Sequence, residues 1–453
     1  MLFTKRNLFQ IIFPLVIQQT LTVLIGMIDS VMVSSAGEAA VSGVSLVNTL
    51  DVLLIYAFSA LVTGGSIVIS QLFGKNDLKL VRSSAKQLIY VATFVATVLS
   101  ITVITIRVPL LSLLFGDVET SVMQSAQSYF LFVAASFPFL ALYSAGTAIF
   151  QCMGNSLISM LVSVIMNLVN VVGNAILIYI FDMGAAGAAI ATLFSRIVGA
   201  IIIITLLHNK KNLIYIEKLF HYKPDFHIIK QILRLGVPNG IENSMFQFGK
   251  LLTQSLISTM GTTAIAANAV AHTLATFQYM PGNAVGLATT TVVGRCIGAK
   301  EKEQAKKYSK ILLATAYGLL WIVVLITCLF SKQIIGFYHL SPKSAELANK
   351  FILYHALTAA AIWPIAFSLP SSFKAASDVK FTLWVSVFSM WVFRVALGYF
   401  FALDSIRIFR FAIPGLGMGA FGVWFAMTVD WVFRATLFAI RYISGRWLTK
   451  YKG

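Results

Sequence analysis

The stretch GAAGAAIATLFSRIVGAIIIITLLH, from Gly184 to His208, carries one full charge, Arg196, in a run long enough to cross a bilayer as a single helix. Strands are far shorter and core helices of soluble proteins are seldom so uniformly apolar, so the segment reads as a transmembrane span. Similar runs recur along the chain. Twelve are placed, near 10–33, 44–70, 87–114, 125–151, 158–180, 186–208, 233–258, 267–294, 309–330, 350–372, 382–403 and 420–441. Composition agrees: of 453 residues, 58% are hydrophobic and 11% charged, less than half the charge that a water-facing surface takes. The expected fold class is an all-α, multi-pass membrane protein.

The first run follows Lys5 and Arg6 as a signal peptide would, but it is too long for a leader core and has a counterpart in the second half. The chain repeats itself. A shift of 224 residues places Pro14 on Pro238, Gly37 on Gly261, Ala40-Val41 on Ala264-Ile265 and Gly74 on Gly298 without a gap. With small gaps, Phe150 and Asn155 fall on Phe373 and Asp378, and Gly184-Ala-Ala-Gly187 on Gly419-Ala-Phe-Gly422. Six crossings per half return the chain to its starting face. The expected architecture is therefore two six-helix lobes of shared orientation, related by a pseudo-twofold axis along the membrane normal. The domains expected are 1–215 and 216–453, joined through the polar connector near 209–232.

The 34 Lys and Arg exceed the 16 Asp and Glu by 18 charges, and their placement says why. With both termini inside, 24 of the basic residues fall on inner segments, 6 on outer segments and 4 at membrane depth. This positive-inside bias predicts a multi-pass protein of the cell (plasma) membrane with both termini cytoplasmic. It also absorbs the basic excess, leaving no basic domain for nucleic acid. Cys152, Cys296 and Cys328 lie in or beside apolar runs without framework spacing, so neither disulfides nor a thiolate metal site are expected. Gly74-Lys75-Asn76 and Gly249-Lys250-Leu251 lack the upstream Gly and the Ser or Thr of a nucleotide loop. With six scattered His and no nucleophile elbow, an enzyme is not expected either.

What remains informative is polarity inside spans, where an ionised group costs several kcal/mol unless it meets a partner or water. Asp29 in the first span, Asn170 and Asn174 in the fifth and Thr192 in the sixth share one depth in the outer half. Asn170 and Asn174, four apart, stack on one helix face. One carboxylate among amide and hydroxyl oxygens suits a sodium ion, and equally a carboxyl that takes up and releases protons. The plain alternative is a buried Asp that fixes helix packing. Pro14, fifteen residues before Asp29 in the same helix, is either a functional bend or a static feature repeated at Pro238. In the second half Glu242 is a second ion or drug-cation site, or the neutralised partner of Lys250 or of a polar neighbour. Asp430 and Arg434 form an i, i+4 pair, Arg196 and Arg394 are further intramembrane cations, and Asp51 falls at an interface. Met245, Phe246, Phe248, Tyr279, Met280, Trp363, Met390 and Trp391 either line a cavity for flat lipophilic cations or pack against helices and lipid.

Several segments together resemble the multidrug and toxic compound extrusion (MATE) family over essentially the whole chain. They are Ile28-Asp-Ser-Val-Met-Val33 with Gly37 and Ala39-Ala40, Phe73-Gly-Lys75, Phe150-Gln-Cys-Met-Gly-Asn155, Asn170-Val-Val-Gly-Asn174, Gly184 to Thr192, Leu235-Gly-Val-Pro238 and Gly417 to Trp424. The resemblance implies two lobes about a central cavity, alternating between inward-open and outward-open states. It implies a secondary multidrug efflux antiporter exporting amphipathic organic cations against inward Na+ or H+. Carried over by position, Asp29, Asn170, Asn174 and Thr192 look like the family's coupling-cation site, and Pro14 like the proline that bends the first helix in some relatives. Asn174 stands where relatives often have Asp. A second-lobe cation or drug site would involve Glu242, Lys250 and His355, although Glu242 is offset from the family's acid and the tenth helix has His355 in place of one. Met245, Phe246, Tyr279 and Met280 would line the substrate cavity. No cofactor is expected, and no metal beyond Na+ at Asp29. The partners expected are small lipophilic or cationic substrates and membrane lipids, with the chain a monomer. The alternatives are a flippase for lipid-linked precursors, favoured by Arg196, Lys250, Arg394 and Arg434, and, from another class, a channel or non-transporting membrane receptor.

Overall fold

The computed structural model describes residues 2–116, 118–217, 223–408 and 411–451, with the side chains of 406–408 and 411–412 left aside. Lys218, Arg410, Lys452 and the Arg407 side chain, which enter the charge count, lie outside the described residues. By contact the chain divides into two compact units, Met1–Gly240 and Ile241–Gly453.

The first unit holds α1 (Lys5–Ser34), α2 (Glu38–Gly74), α3 (Leu78–Phe115), α4 (Thr120–Ala135), α5 (Phe137–Cys152), α6 (Ser156–Asn174), which runs on as a π-helical turn over Ala175–Ile180, and α7 (Gly184–Leu207). Next, α8 (Phe226–Ser258) starts in the first unit and ends in the second. The second unit continues with α9 (Thr262–Gly298), α10 (Lys302–Leu329), the short α11 (Ser331–Gly336) and α12 (Pro342–Trp363). A π-helical turn at Pro364–Ser368 joins α12 to α13 (Pro370–Ala375). Another, Met390–Ala396, joins α14 (Val379–Ser389) to α15 (Leu397–Ala402), and α16 (Ala420–Ile443) follows. Between α15 and α16, Ser405–Ile408 and Phe411–Pro414 pair as two antiparallel strands.

Among the described residues nine of these segments are long and apolar enough to cross a membrane, and α4 with α5, bent by 43° at Ser136, makes a tenth. The remaining two of the twelve expected spans are α8 and α9. They have the length, 33 and 37 residues, but carry Glu242, Lys250, Gln254 and Gln278. Large apolar side chains such as Leu113, Ile180, Leu357 and Ile443 point outward, which suits a hydrocarbon surround and not water.

Local signals set the helix starts. The Thr4 hydroxyl accepts from the Asn7 N–H, the Asp77 carboxylate from Leu80 N–H at 3.0 Å, and the Ser341 hydroxyl from Ser344 N–H ahead of Pro342 at the first helical position. The internal repeat extends to these turns. Both α2 and α9 are 37 residues long, each begins after a glycine at φ near 90° (Gly37, 96°; Gly261, 91°), and each is followed by a left-handed residue, Asn76 or Lys300. A side chain at Gly37 or Gly261 would be strained by that φ alone.

In the first unit α6 packs against α1 and α7, and α2 against α3 and α4, around the fully buried Phe58, Phe130, Phe137 and Phe150. In the second unit α9 packs on α10 and α12, and α16 on α12, around Phe351, Phe373, Phe438 and Trp447. Where α2 meets the start of α8, backbones touch: a Cβ on Gly64 would lie 2.6 Å from the Gly236 nitrogen and the Ile232 carbonyl. Neither atom is a flexible tip. Gly64→Ala is expected to destabilise the protein by about 1–3 kcal/mol through overpacking, read as a lower midpoint of thermal unfolding in detergent. Gly26→Ala, with nothing within 4 Å of the added carbon, serves as the neutral control.

Candidate functional site

Three helices of the first unit converge on one carboxylate. Asp29 hangs from α1, and α6 presents Asn170 and Asn174 one turn apart, both buried. From α7 comes Thr192. The Asn174 amide nitrogen donates to Asp29 Oδ1 at 2.7 Å. The Asn170 amide stands 2.8 and 3.1 Å from the two Asp29 oxygens and 3.2 Å from the Thr192 hydroxyl.

Two orientations of that amide make different networks. With nitrogen toward Asp29, Asn170 donates to both carboxylate oxygens and its oxygen accepts from Thr192. With oxygen toward Asp29, its nitrogen donates to Thr192 Oγ1, whose own hydrogen goes to the Ala188 carbonyl at 3.0 Å. Oxygen then faces oxygen at 2.8 Å, which requires a proton or a cation between them. Asn174 Oδ1 adds a further acceptor, buried and without a hydrogen-bond partner. All four residues picked from the sequence as one site are thus brought together.

The neighbours were read less well. Asp51 is buried at 8% exposure, with its Oδ2 3.9 Å from Arg196 on α7. Arg196 also donates to Ser136 Oγ at 2.6 Å, where α4 gives way to α5. An acid and a base at membrane depth must each find a partner or water, but nothing in the sequence says which helix brings Arg196 beside Asp51. Pro14 lies buried within α1, about four turns before Asp29.

In the second unit Glu242 on α8 does not meet Lys250. Its partner is Lys374 on α13 at 3.1 Å, and its oxygens also accept from Ser386 (3.0 Å) and Thr382 (3.3 Å). The cause is helix geometry, since eight residues put Lys250 more than two turns away. His355 on α12 is fully enclosed: a ring nitrogen bonds Gln278 Oε1, and Trp424 and Trp431 meet the ring edge-on. Asp430 and Arg434 pair at 2.7 Å as their spacing predicts, with Ser389 also donating to the carboxylate and Arg394 at 3.9 Å. Met280 is buried, Met245 partly so, and Tyr279 stacks on Trp363 at 5.4 Å. Glu242 is thus engaged by Lys374 and His355 by Gln278.

The MatE family profile matches residues 14–176 and again 238–400, two copies offset by 238 − 14 = 224, the shift of the internal repeat. The Bacillus subtilis protein "Uncharacterized transporter YisQ" is 27% identical over 452 residues, covering 98% of this chain and 95% of its own. The Thermotoga maritima "Probable multidrug resistance protein NorM" is 25% identical and covers 98% and 93%. Among solved structures, the "Outward-facing conformation of a multidrug resistance MATE family transporter of the MOP superfamily" superposes with a TM-score of 0.86 at 21% identity, over 99% of this chain and 97% of that one. With both halves matched and the twelve-span, two-lobe fold in common, the chain belongs to the MatE family of multi-pass membrane transporters.

Proposed function

We propose that this chain is a secondary antiporter of the cell membrane, exporting small amphipathic molecules, organic cations among them, in exchange for inward Na+ or H+ held by Asp29, Asn170, Asn174 and Thr192. It works as a monomer with both termini in the cytoplasm, as the distribution of Lys and Arg supports. One observation carries the reading: a single part-buried carboxylate is ringed by amide and hydroxyl groups, with the buried Asn174 Oδ1 left unpartnered beside it.

An Asn170 amide that turns over when Asp29 is loaded would give the exchange a physical form. Empty and ionised, Asp29 is held by donors from both asparagines. Loaded with a proton or sodium, it turns oxygens of Asn170 and Asn174 toward the site. That local change matters only if the loaded state favours one access state over the other, because an ion bound equally to both drives nothing. One charge moved inward supplies about 2.3 kcal/mol per 100 mV, enough for a roughly fiftyfold gradient of an uncharged cargo.

Dye efflux in everted vesicles under separately imposed sodium and pH gradients tests this reading, and transport indifferent to both gradients overturns it. Asn174→Ala removes one donor and one acceptor but keeps the carboxylate. The expected result is an apparent affinity for the coupling ion about tenfold weaker with maximal efflux retained, measured by titrating the driving ion.

A further inference from the structure

The inside of the second unit is basic. Lys250 lies 5.1 Å from the Phe246 ring centre, and the guanidinium carbons of Arg394 and Arg434 lie 5.6 and 5.1 Å from the same ring. Three cations thus share one aromatic side chain, so a cationic drug at Phe246 would meet resident charges of its own sign. Asp430 is the single acid of the group, and it is committed to Arg434 at 2.7 Å. Arg434 is further satisfied by the Ser386 carbonyl at 3.0 Å. Arg394 has only the long 3.9 Å approach to Asp430, and among the described residues Lys250 makes no ion pair. Lys250 and Arg394 are within electrostatic reach of each other and of His272 on α9, and Arg394 is also within reach of Tyr279 and His355. Glu242 cannot help, being held by Lys374.

Holding two under-paired cations at membrane depth is costly, and an anion arriving between them recovers that cost. Beside them runs an aromatic series, Phe246 on Phe367 at 6.0 Å, Phe367 on Trp363 at 5.1 Å and Trp363 on Tyr279 at 5.4 Å, suited to the flat apolar body of an amphipathic molecule. We infer that Lys250 and Arg394 form an anion subsite, so that the preferred cargo carries a carboxylate, sulfonate or phosphate group on an apolar body. The inference rests on the export reading for its physiological sense, but not for its test.

The test is equilibrium binding to the purified full chain, without any gradient, of a carboxyrhodamine dye, which carries a carboxylate beside its cationic ring system, and of its methyl ester, in which the carboxylate is masked and the dye is a net cation. The acid should bind roughly tenfold more tightly than the ester. Lys250→Gln should erase that preference by weakening binding of the acid, with the cationic ester bound no less tightly than before, and Lys250→Arg should restore it. Equal binding of acid and ester by the unaltered protein overturns the subsite, as does a Lys250→Gln variant that keeps the preference or weakens both dyes alike. Failure of coupling shows up separately, as loss of gradient-driven transport with the binding difference intact. Translocation of a fluorescent phosphatidic acid in proteoliposomes, lost in Lys250→Gln, assigns the acidic group to a lipid headgroup. Dye binding without lipid movement assigns it to a soluble organic acid.

Discussion

Asp29→Asn is expected to yield a folded, membrane-inserted protein in which gradient-driven efflux falls to the level of vesicles lacking the transporter. Asparagine keeps the size of the side chain and can still bond Asn170 and Asn174, so packing of α1 on α6 survives. What it loses is the capacity to take up a cation or a proton, the only charge in that cluster. Asp29→Glu, which keeps the charge but lengthens the arm, should retain part of the activity. Ethidium export at normal rate by Asp29→Asn, with protein present at normal abundance, overturns the assignment of the coupling site.

The largest stability effect should fall elsewhere. Asp430→Ala removes the carboxylate that holds Arg434 at 2.7 Å and faces Arg394 at 3.9 Å, both within one buried group. Removing one partner of a buried pair strands the other, and here two cations are stranded beside Lys250. The expected cost is about 3–5 kcal/mol, visible as early aggregation on heating in detergent or as poor accumulation in the membrane. Asp430→Ala combined with Arg434→Met should be milder than Asp430→Ala alone, because the stranded guanidinium goes too. If the two are equally unstable, the pairing is not what holds α16 in place.

Much of this protein could be read from its chain. Length and apolar character marked ten of the twelve spans, because a bilayer allows few other uses for twenty apolar residues in a row, while α8 and α9 are more polar. The 224-residue shift anticipated matching helices of equal length and matching glycines at their starts. Asp29, Asn170, Asn174 and Thr192 were legible because topology fixed a common depth and i, i+4 spacing a common face. Lateral partners were not legible. Asp51 and Arg196 are 145 positions apart, and Glu242 and Lys374 are 132 apart; depth says nothing about which helix stands beside which. The same gap hid the basic character of the second unit. Lys250, Arg394 and Arg434 sit on three different segments, and only packing shows them gathered about Phe246.

The ion pair of Glu242 also bears on how the molecule is made. During synthesis α8 must enter the lipid with an acid and a lysine aboard, at a cost on a translocon scale of roughly 2.5–3.5 kcal/mol for such a residue at the helix centre. The cation that answers Glu242 has not yet been translated. At ribosomal speed Lys374 arrives on the order of ten seconds later. In that interval the helix is a poor guest of the bilayer, able to linger at the exit channel or be shielded by an insertion chaperone. Ribosomes halted between α9 and α13 should therefore leave nascent chains whose seventh crossing can still be pulled back out, and the same crossing should become irreversible once residue 374 has emerged.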